Sequence, residues 1–327
     1  MSGAPRPAGV VGAALGARLR ERDLSAAPAA LNLLESTAPA DREQASALLR
    51  EVSPSALGGE APAHVVGVTG PPGAGKSTLL STLLRAWRNG GPPTRTVAML
   101  AVDPSSRRSG GSLLGDRARV EFDPADRGVL IRSTAAGERL GGLAQATRGA
   151  AEALAAAFDI VVIETVGVGQ AETDVADVAD TVAVVVQPGS GDVLQFLKSG
   201  IMEIPDVLVV TKADLGQIAT RTRRDLVASL RSLGSSQARV VAVSALSPPS
   251  GIDELVAALD EHRAGLDVGA RRVAARRAGA LTDFAVEHGA RGLKALGGRR
   301  AALTVLAEQD PGMDVPALVA ALERQLA

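Results

Sequence analysis

GPPGAGKST, residues Gly70 to Thr78, decides how this chain is read. It satisfies G-x-x-x-x-G-K-[ST] and stands between an apolar run, VVGVT, and a run with helical spacing, TLLSTLLRAW. That order, strand, glycine-rich turn, helix, is the setting of a phosphate-binding P-loop. The glycines let backbone N–H groups turn inward around phosphate oxygens, and the N-terminus of the following helix adds a favourable field. Gly70, Pro71, Pro72, Gly73, Ala74, Gly75, Lys76, Ser77 and Thr78 form the expected cradle. Lys76 should reach the β- and γ-phosphates of a nucleoside triphosphate, and the Ser77 hydroxyl should sit on Mg²⁺.

Outward from the P-loop, the apolar runs VVGVTG, TVAMLAVD, VLIRST, DIVVIET, TVAVVVQP, DVLVVTKAD and ARVVAVSAL are bounded by Gly, Pro, Asp or Ser. Most are continuous rather than alternating, as strands buried on both faces are, and most are separated by stretches of helical period. The expectation is an α/β fold: a doubly wound, mostly parallel sheet of about seven strands. Residues 1–60 read as a helical N-terminal segment, 61–265 as the P-loop domain, and 266–327 as a helical C-terminal extension of Arg- and Ala-rich helices.

Composition narrows the class. A chain of 327 residues, 46% hydrophobic, can bury one large core with appendages. Its net charge of −1 gives no electrostatic footprint for nucleic acid or an anionic membrane. No apolar run approaches the roughly 20 residues that span a bilayer, and the N-terminus lacks the pattern of a signal peptide, so the expected location is cytoplasmic. There are no cysteines, and the three histidines, His64, His262 and His288, are scattered along the chain, which argues against a transition-metal centre. Of 35 basic residues only Lys76, Lys198, Lys212 and Lys294 are lysine. Arginine cannot replace lysine in a tight phosphate cradle, so each lysine calls for a reason.

Three further carboxylates and a glycine could serve the phosphates. The strand DIVVIE ends in Glu164, and Gly167 follows three residues later, a D-x-x-G arrangement with glutamate for aspartate. The carboxylate can hold Mg²⁺ through water and the glycine N–H can sense the γ-phosphate. Asp103 ends another strand on the edge where ligands collect in open α/β sheets, and Asp116 lies in the glycine-rich stretch beyond it. Asp103 could position the attacking water or a Mg²⁺-bound water, and Gln170 could orient the attacking water; Asp116 could swing toward the metal as a switch, and reads equally well as a solvated helix-start carboxylate.

VVTKAD, residues 209 to 214, suggests which base is bound. A carboxylate at Asp214 can accept from both N1–H and the N2 amino group of guanine, whereas adenine would leave it unpaired. Lys212 would lay its stem along the purine. Guanine-binding loops usually carry asparagine where this chain has Thr211, which offers only a hydroxyl, so selectivity should survive at a cost of about 1 kcal/mol. Ser244, Ala245 and Leu246 end the last apolar run, with backbone N–H groups suited to guanine O6.

The order P-loop, AVDPSS, GGSLLGD, LGGLAQATR, ETVGVGQAE, QPGSGDVLQFLKSGIMEIPD, TKAD, SAL resembles the MeaB/ArgK family, G3E-type GTPases of the SIMIBI class, over most of residues 25 to 265. The resemblance implies a chaperone of an adenosylcobalamin-dependent acyl-CoA mutase, methylmalonyl-CoA mutase or a relative, that couples GTP to cofactor loading and protection. It also implies GTP, GDP and Mg²⁺ as ligands, and a homodimer carried by the helical region after about residue 266. The family's loop after the fifth strand, here PGSGDVLQFLK, responds to nucleotide and partner, which gives Lys198 a role; the competing reading is a surface lysine on a helix. Thr211 departs from the family's more common asparagine. Two other readings are a transport-linked kinase or ATPase, and a metallochaperone GTPase, which the absence of cysteine weakens.

Overall fold

A computed structural model describes residues 10–91, 94–103, 120–135, 145–165, 175–189, 205–232 and 238–326. In chain order its helices are α1 (Val10–Arg20), α2 (Ala27–Leu34), α3 (Pro39–Glu51), α4 (Pro54–Leu57), α5 (Lys76–Asn89), α6 (Gln145–Ala157), α7 (Gln217–Ser232), α8 (Ile252–Gly265), α9 (Val268–Ala295), α10 (Arg299–Ala307) and α11 (Val315–Glu323). The strands are β1 (His64–Thr69), β2 (Val97–Asp103), β3 (Val129–Ala135), β4 (Ile160–Thr165), β5 (Thr181–Val186), β6 (Val207–Val210) and β7 (Arg239–Ala242).

All seven apolar runs form strands, and every described pairing is parallel, in the order β3-β2-β4-β1-β5-β6-β7. β1, β4, β5 and β6 are buried at every position, which is why they read as unbroken Val/Ile runs. One sheet face puts Val66, Val68, Val162 and Val185 in a single core with Leu79, Leu83 and Trp87 of α5 and Leu255 and Leu259 of α8. Each such side chain fully buried contributes about 1.5–3 kcal/mol before chain entropy is counted. α5 is set against the sheet by this stripe, and its first turn therefore lies at the carboxyl end of β1.

The chain divides into two compact units, one of residues 64–143 and 159–266, which contains the sheet, and one of residues 1–63, 144–158 and 267–327. The second is helical. Phe284, Leu281, Leu306, Leu318 and Leu322 form its own apolar cluster, and buried arginines fasten α9. Arg272 donates to the carbonyls of Ala61 and Ala63, both at 2.7 Å, and Arg276 grips both oxygens of Glu60 at 2.9 and 2.6 Å. Arg148 of α6 pairs with Asp283 of α9. α9 is not one straight rod: Gly289 adopts φ 63°, ψ −166°, a left-handed break that glycine permits and that the continuous Ala/Arg pattern conceals. α10 is likewise invisible to that pattern.

The histidines are less isolated than their spacing suggests. In the sheet unit the Thr181 hydroxyl lies 2.7 Å from His64 Nε2 and 2.8 Å from His262 Nδ1, and His262 Nε2 is 3.2 Å from Asp206 Oδ1. This knot joins the amino ends of β1 and β5 to α8, opposite the P-loop end. Burial pushes the His64 imidazole down to about 4, against the pull of Asp180, so it is neutral at pH 7. In the helical unit His288 Nε2 sits 3.0 Å from Glu323, with Glu287 close by. Partners 117, 81 and 35 residues away cannot be read from spacing.

Candidate nucleotide site

The turn after β1 is built by backbone geometry that only glycine adopts without strain. Gly70 has φ 142°, and a Cβ there would lie 2.1 Å from the carbonyl oxygen of Val185 in β5, so the turn is laid directly on the neighbouring strand. Gly75, at φ 89°, is the left-handed residue from which α5 starts. Lys76, the first residue of that helix, is only 8% exposed. Its ammonium donates to the carbonyls of Gly70 at 2.6 Å and Pro71 at 3.2 Å, which folds the side chain back over the loop.

Glu164 stands one residue before the end of β4, between Ala101 of β2 and Val68 of β1. That register carries its carboxylate to the next helix over: the Ser77 hydroxyl donates to Glu164 Oε1 at 3.4 Å, across 87 residues. Two hard oxygen ligands thus meet beside the cradle. Their separation is near the roughly 3 Å between adjacent ligands of a six-coordinate magnesium ion, so the residues present fit that ion.

β6 brings the second loop to the first. Thr211, 5% exposed, donates its hydroxyl to Ala74 O at 2.7 Å, with Val186 O also within 3.1 Å. A hydroxyl has one proton for two carbonyls, where an asparagine amide has two; the shorter contact is the one to the P-loop. The threonine therefore keeps the bracing function at lower capacity. Lys212, in the left-handed conformation at φ 52°, directs its ammonium to Gln187 Oε1 at 2.6 Å and Gly73 O at 3.4 Å. Two residues on, Asp214 accepts the Ser244 hydroxyl at 2.7 Å, and the Ser244 oxygen in turn accepts the Leu246 N–H at 3.3 Å. The Ala213 N–H closes the set on Val243 O at 3.0 Å. Phosphate loop, base loop and the Ser244–Leu246 loop are thus joined by named hydrogen bonds.

Of the residues singled out in the sequence, the structure gathers Gly70 to Thr78, Glu164, Lys212, Asp214 and Ser244 to Leu246 at one edge of the sheet. Asp103 closes β2 opposite Ala135, but its side chain is not among the described ones. Asp116, Gly167, Gln170 and Lys198 lie outside the described residues. Gln187, the partner of Lys212, was not foreseen. The signal was available: it follows β5 directly, at the carboxyl edge where α/β sheets collect ligands.

Valine at position 211 keeps the shape and removes the hydroxyl that bridges the two loops. The expected result of Thr211→Val is GTP affinity reduced about fivefold, equivalent to about 1 kcal/mol, at unchanged guanine preference. Titration calorimetry with GTP and ATP reads both quantities, and an unaltered GTP affinity would remove the bracing role.

The profile described as "Methylmalonyl Co-A mutase-associated GTPase MeaB" matches residues 27–288. A Pyrococcus abyssi protein, "Putative GTPase", is 42% identical over 267 residues, covering 80% of this chain and 78% of its own. A Mycobacterium tuberculosis protein, "Probable GTPase", is 40% identical over 278 residues, covering 83% and 80%. Among solved structures, one titled "Crystal structure of LAO/AO transport system kinase" matches at TM-score 0.64 and 26% identity, covering 98% of this chain and 99% of the other.

Proposed function

The chain belongs to the MeaB family of methylmalonyl-CoA mutase-associated GTPases, and from that membership we propose that it is a GTP-dependent chaperone of an adenosylcobalamin-dependent acyl-CoA mutase, methylmalonyl-CoA mutase or a relative. In this reading GTP binding and hydrolysis drive the loading and protection of the mutase cofactor. The observation that carries the nucleotide half is the tie from Thr211 to Ala74, which fixes the base-reading loop against the phosphate loop. The partner half rests on the family and on a Caenorhabditis elegans relative named "Methylmalonic aciduria type A homolog, mitochondrial", 38% identical over 220 residues, which cover 63% of this chain and 54% of that protein.

For hydrolysis, water attacks the γ-phosphorus in line while the bond to the β–γ bridging oxygen breaks. Lys76, turned over the loop, is placed to exchange its carbonyl partners for β- and γ-phosphate oxygens, and the loop N–H groups stabilise the charge that develops there. Ser77 and Glu164 would hold magnesium, which supplies charge neutralisation across the β- and γ-phosphates. Asp103 or Gln170 is the proposed orienter of the water, Gly167 the γ-phosphate sensor, and Lys198 the residue of the nucleotide-responsive loop. The homodimer through residues 266–327 belongs to the same proposal. Among the described residues no helix is long and apolar enough to cross a membrane.

The test is single-turnover GTP hydrolysis with and without methylmalonyl-CoA mutase of the same genome, with light scattering on the same samples to read the dimer. The expected result is faster turnover with the mutase than without. An unchanged rate together with no complex in the scattering profile would overturn the chaperone reading.

A further inference from the structure

Helix α7 concentrates a charge that the whole chain does not have. In a protein of net charge −1, its 16 residues hold Arg221, Arg223, Arg224 and Arg231 against a single carboxylate, Asp225. Ala219, Leu226 and Leu230 are buried, which turns the opposite side to solvent. On that side Gln217, Arg221, Arg224, Ala228 and Arg231 follow one another at steps of three and four residues, and all are exposed. They form one ridge. The only ion pair on the helix, among the described residues, joins Arg221 to Asp225 at 4.0 Å with both side chains exposed. A pair of that kind contributes little and leaves the guanidinium groups available.

The amino end of this ridge meets an apolar edge. Leu215, Ile218 and Leu246 are 46%, 53% and 61% exposed. Leu215 directly follows the base-loop carboxylate Asp214. Leu246 belongs to the loop whose Ser244 bonds that carboxylate at 2.7 Å. Ile218 adjoins the turn that directly follows β5, its Cγ2 lying 3.6 Å from where a Cβ on Gly189 would stand. Single exposed apolar residues are ordinary; three bordering a charged ridge make the mixed surface that protein partners cover.

We propose that the ridge of Arg221, Arg224 and Arg231, with Leu215 and Ile218 at its end, docks an acidic surface of the mutase partner, so that the partner rests against the loop that carries Asp214. The assignment deepens the functional reading above and depends on it for the identity of the partner. The chemistry favours a protein carboxylate surface. Guanidinium forks match carboxylates in paired hydrogen bonds. A second copy of this chain, brought up by a twofold axis through the ridge, would set arginine against arginine. A membrane-surface helix must offer its apolar face to lipid, and the apolar face of α7 is committed to the core. Single-stranded nucleic acid is gripped by stacking on aromatic rings, and α7 has none. Contact at this face also gives the partner a route to sense guanine occupancy, because the segment it would press on begins at the base-reading carboxylate.

The test uses the full-length chain and its charge-reversed variant, Arg221→Glu with Arg224→Glu and Arg231→Glu, with immobilised methylmalonyl-CoA mutase in the presence of GTP. Mutase affinity should fall by about tenfold or more, and its dependence on salt should flatten. GTP affinity and unstimulated turnover should stay at the wild-type level. Ile218→Ser should weaken the complex without altering the salt dependence, which separates the apolar edge from the ridge. Wild-type mutase affinity and salt dependence in both variants would overturn the docking proposal alone. The same holds if charge reversal abolishes binding to phosphatidylserine vesicles or duplex DNA while mutase affinity is untouched. A wild-type chain that binds no mutase would overturn the partner reading and the docking with it.

Discussion

Lys76→Ala should reduce GTP turnover by about a hundredfold to a thousandfold or more, to the limit of detection in a single-turnover assay at saturating GTP and Mg²⁺. The size of the effect follows from where the ammonium sits. Lys76 is nearly buried, begins α5 from a left-handed glycine, and bends over the loop to within 2.6 Å of the carbonyl of Gly70. A cation fixed there would add its charge where charge develops on the transferring phosphoryl group, in a place where little water screens it. Alanine cannot do this, and no other described lysine reaches the same carbonyls: Lys212 is held at Gln187 and Gly73. Because alanine is a good helix former, α5 should persist, and a thermal melt close to wild type would show that the loss is catalytic. Turnover at the wild-type rate would remove Lys76 from the mechanism.

How much of this was legible in the sequence depended on the range of the interactions involved. The P-loop and the strand runs were local: a consecutive motif, and burial on both faces that excludes polar residues from a strand. Those readings needed no knowledge of the fold, and the sheet followed from them. The base site was a proposal from chemistry and order: the structure brings Asp214 to the carboxyl edge of the sheet beside Ser244, and guanine recognition there is what the nucleotide competition below tests. What remained hidden was set by contacts across long stretches of chain. That Thr211 braces the P-loop through Ala74, 137 residues away, is not marked by anything near it in the sequence. Gln187 belongs to no motif and was marked only by its place directly after β5, and the Thr181 knot of two histidines needed three elements to be brought together. In the helical unit the Ala/Arg-rich composition runs through both the break and the extra helix α10, with Gly289 at the first and Gly297 and Gly298 before the second as its punctuation.

The second large effect concerns the base. Wild-type protein should prefer GTP to ATP by about a hundredfold or more, and Asp214→Ala should bring that ratio close to one while phosphate binding persists. A carboxylate has about four lone-pair positions. One oxygen of Asp214 takes the Ser244 hydroxyl at 2.7 Å, which orients the group and leaves acceptor capacity for the paired N1–H and N2–H of guanine. Adenine has no donor at either place, so with ATP the carboxylate loses water and gains nothing; that unpaired cost is the source of discrimination. Alanine removes the reward for guanine and the penalty for adenine together. Asp214→Asn separates orientation from charge: its amide oxygen can still accept from Ser244, while its N–H₂ would face the guanine donors. That variant should lose GTP and gain xanthosine triphosphate, which carries an oxygen where guanine carries the amino group. Competition of GTP, ATP and xanthosine triphosphate against one labelled guanine nucleotide measures all three ratios. A preference for GTP that survives in both variants would mean that position 214 does not face the base, and with it would go the argument that the two loops tied together by Thr211 grip the two ends of one nucleotide.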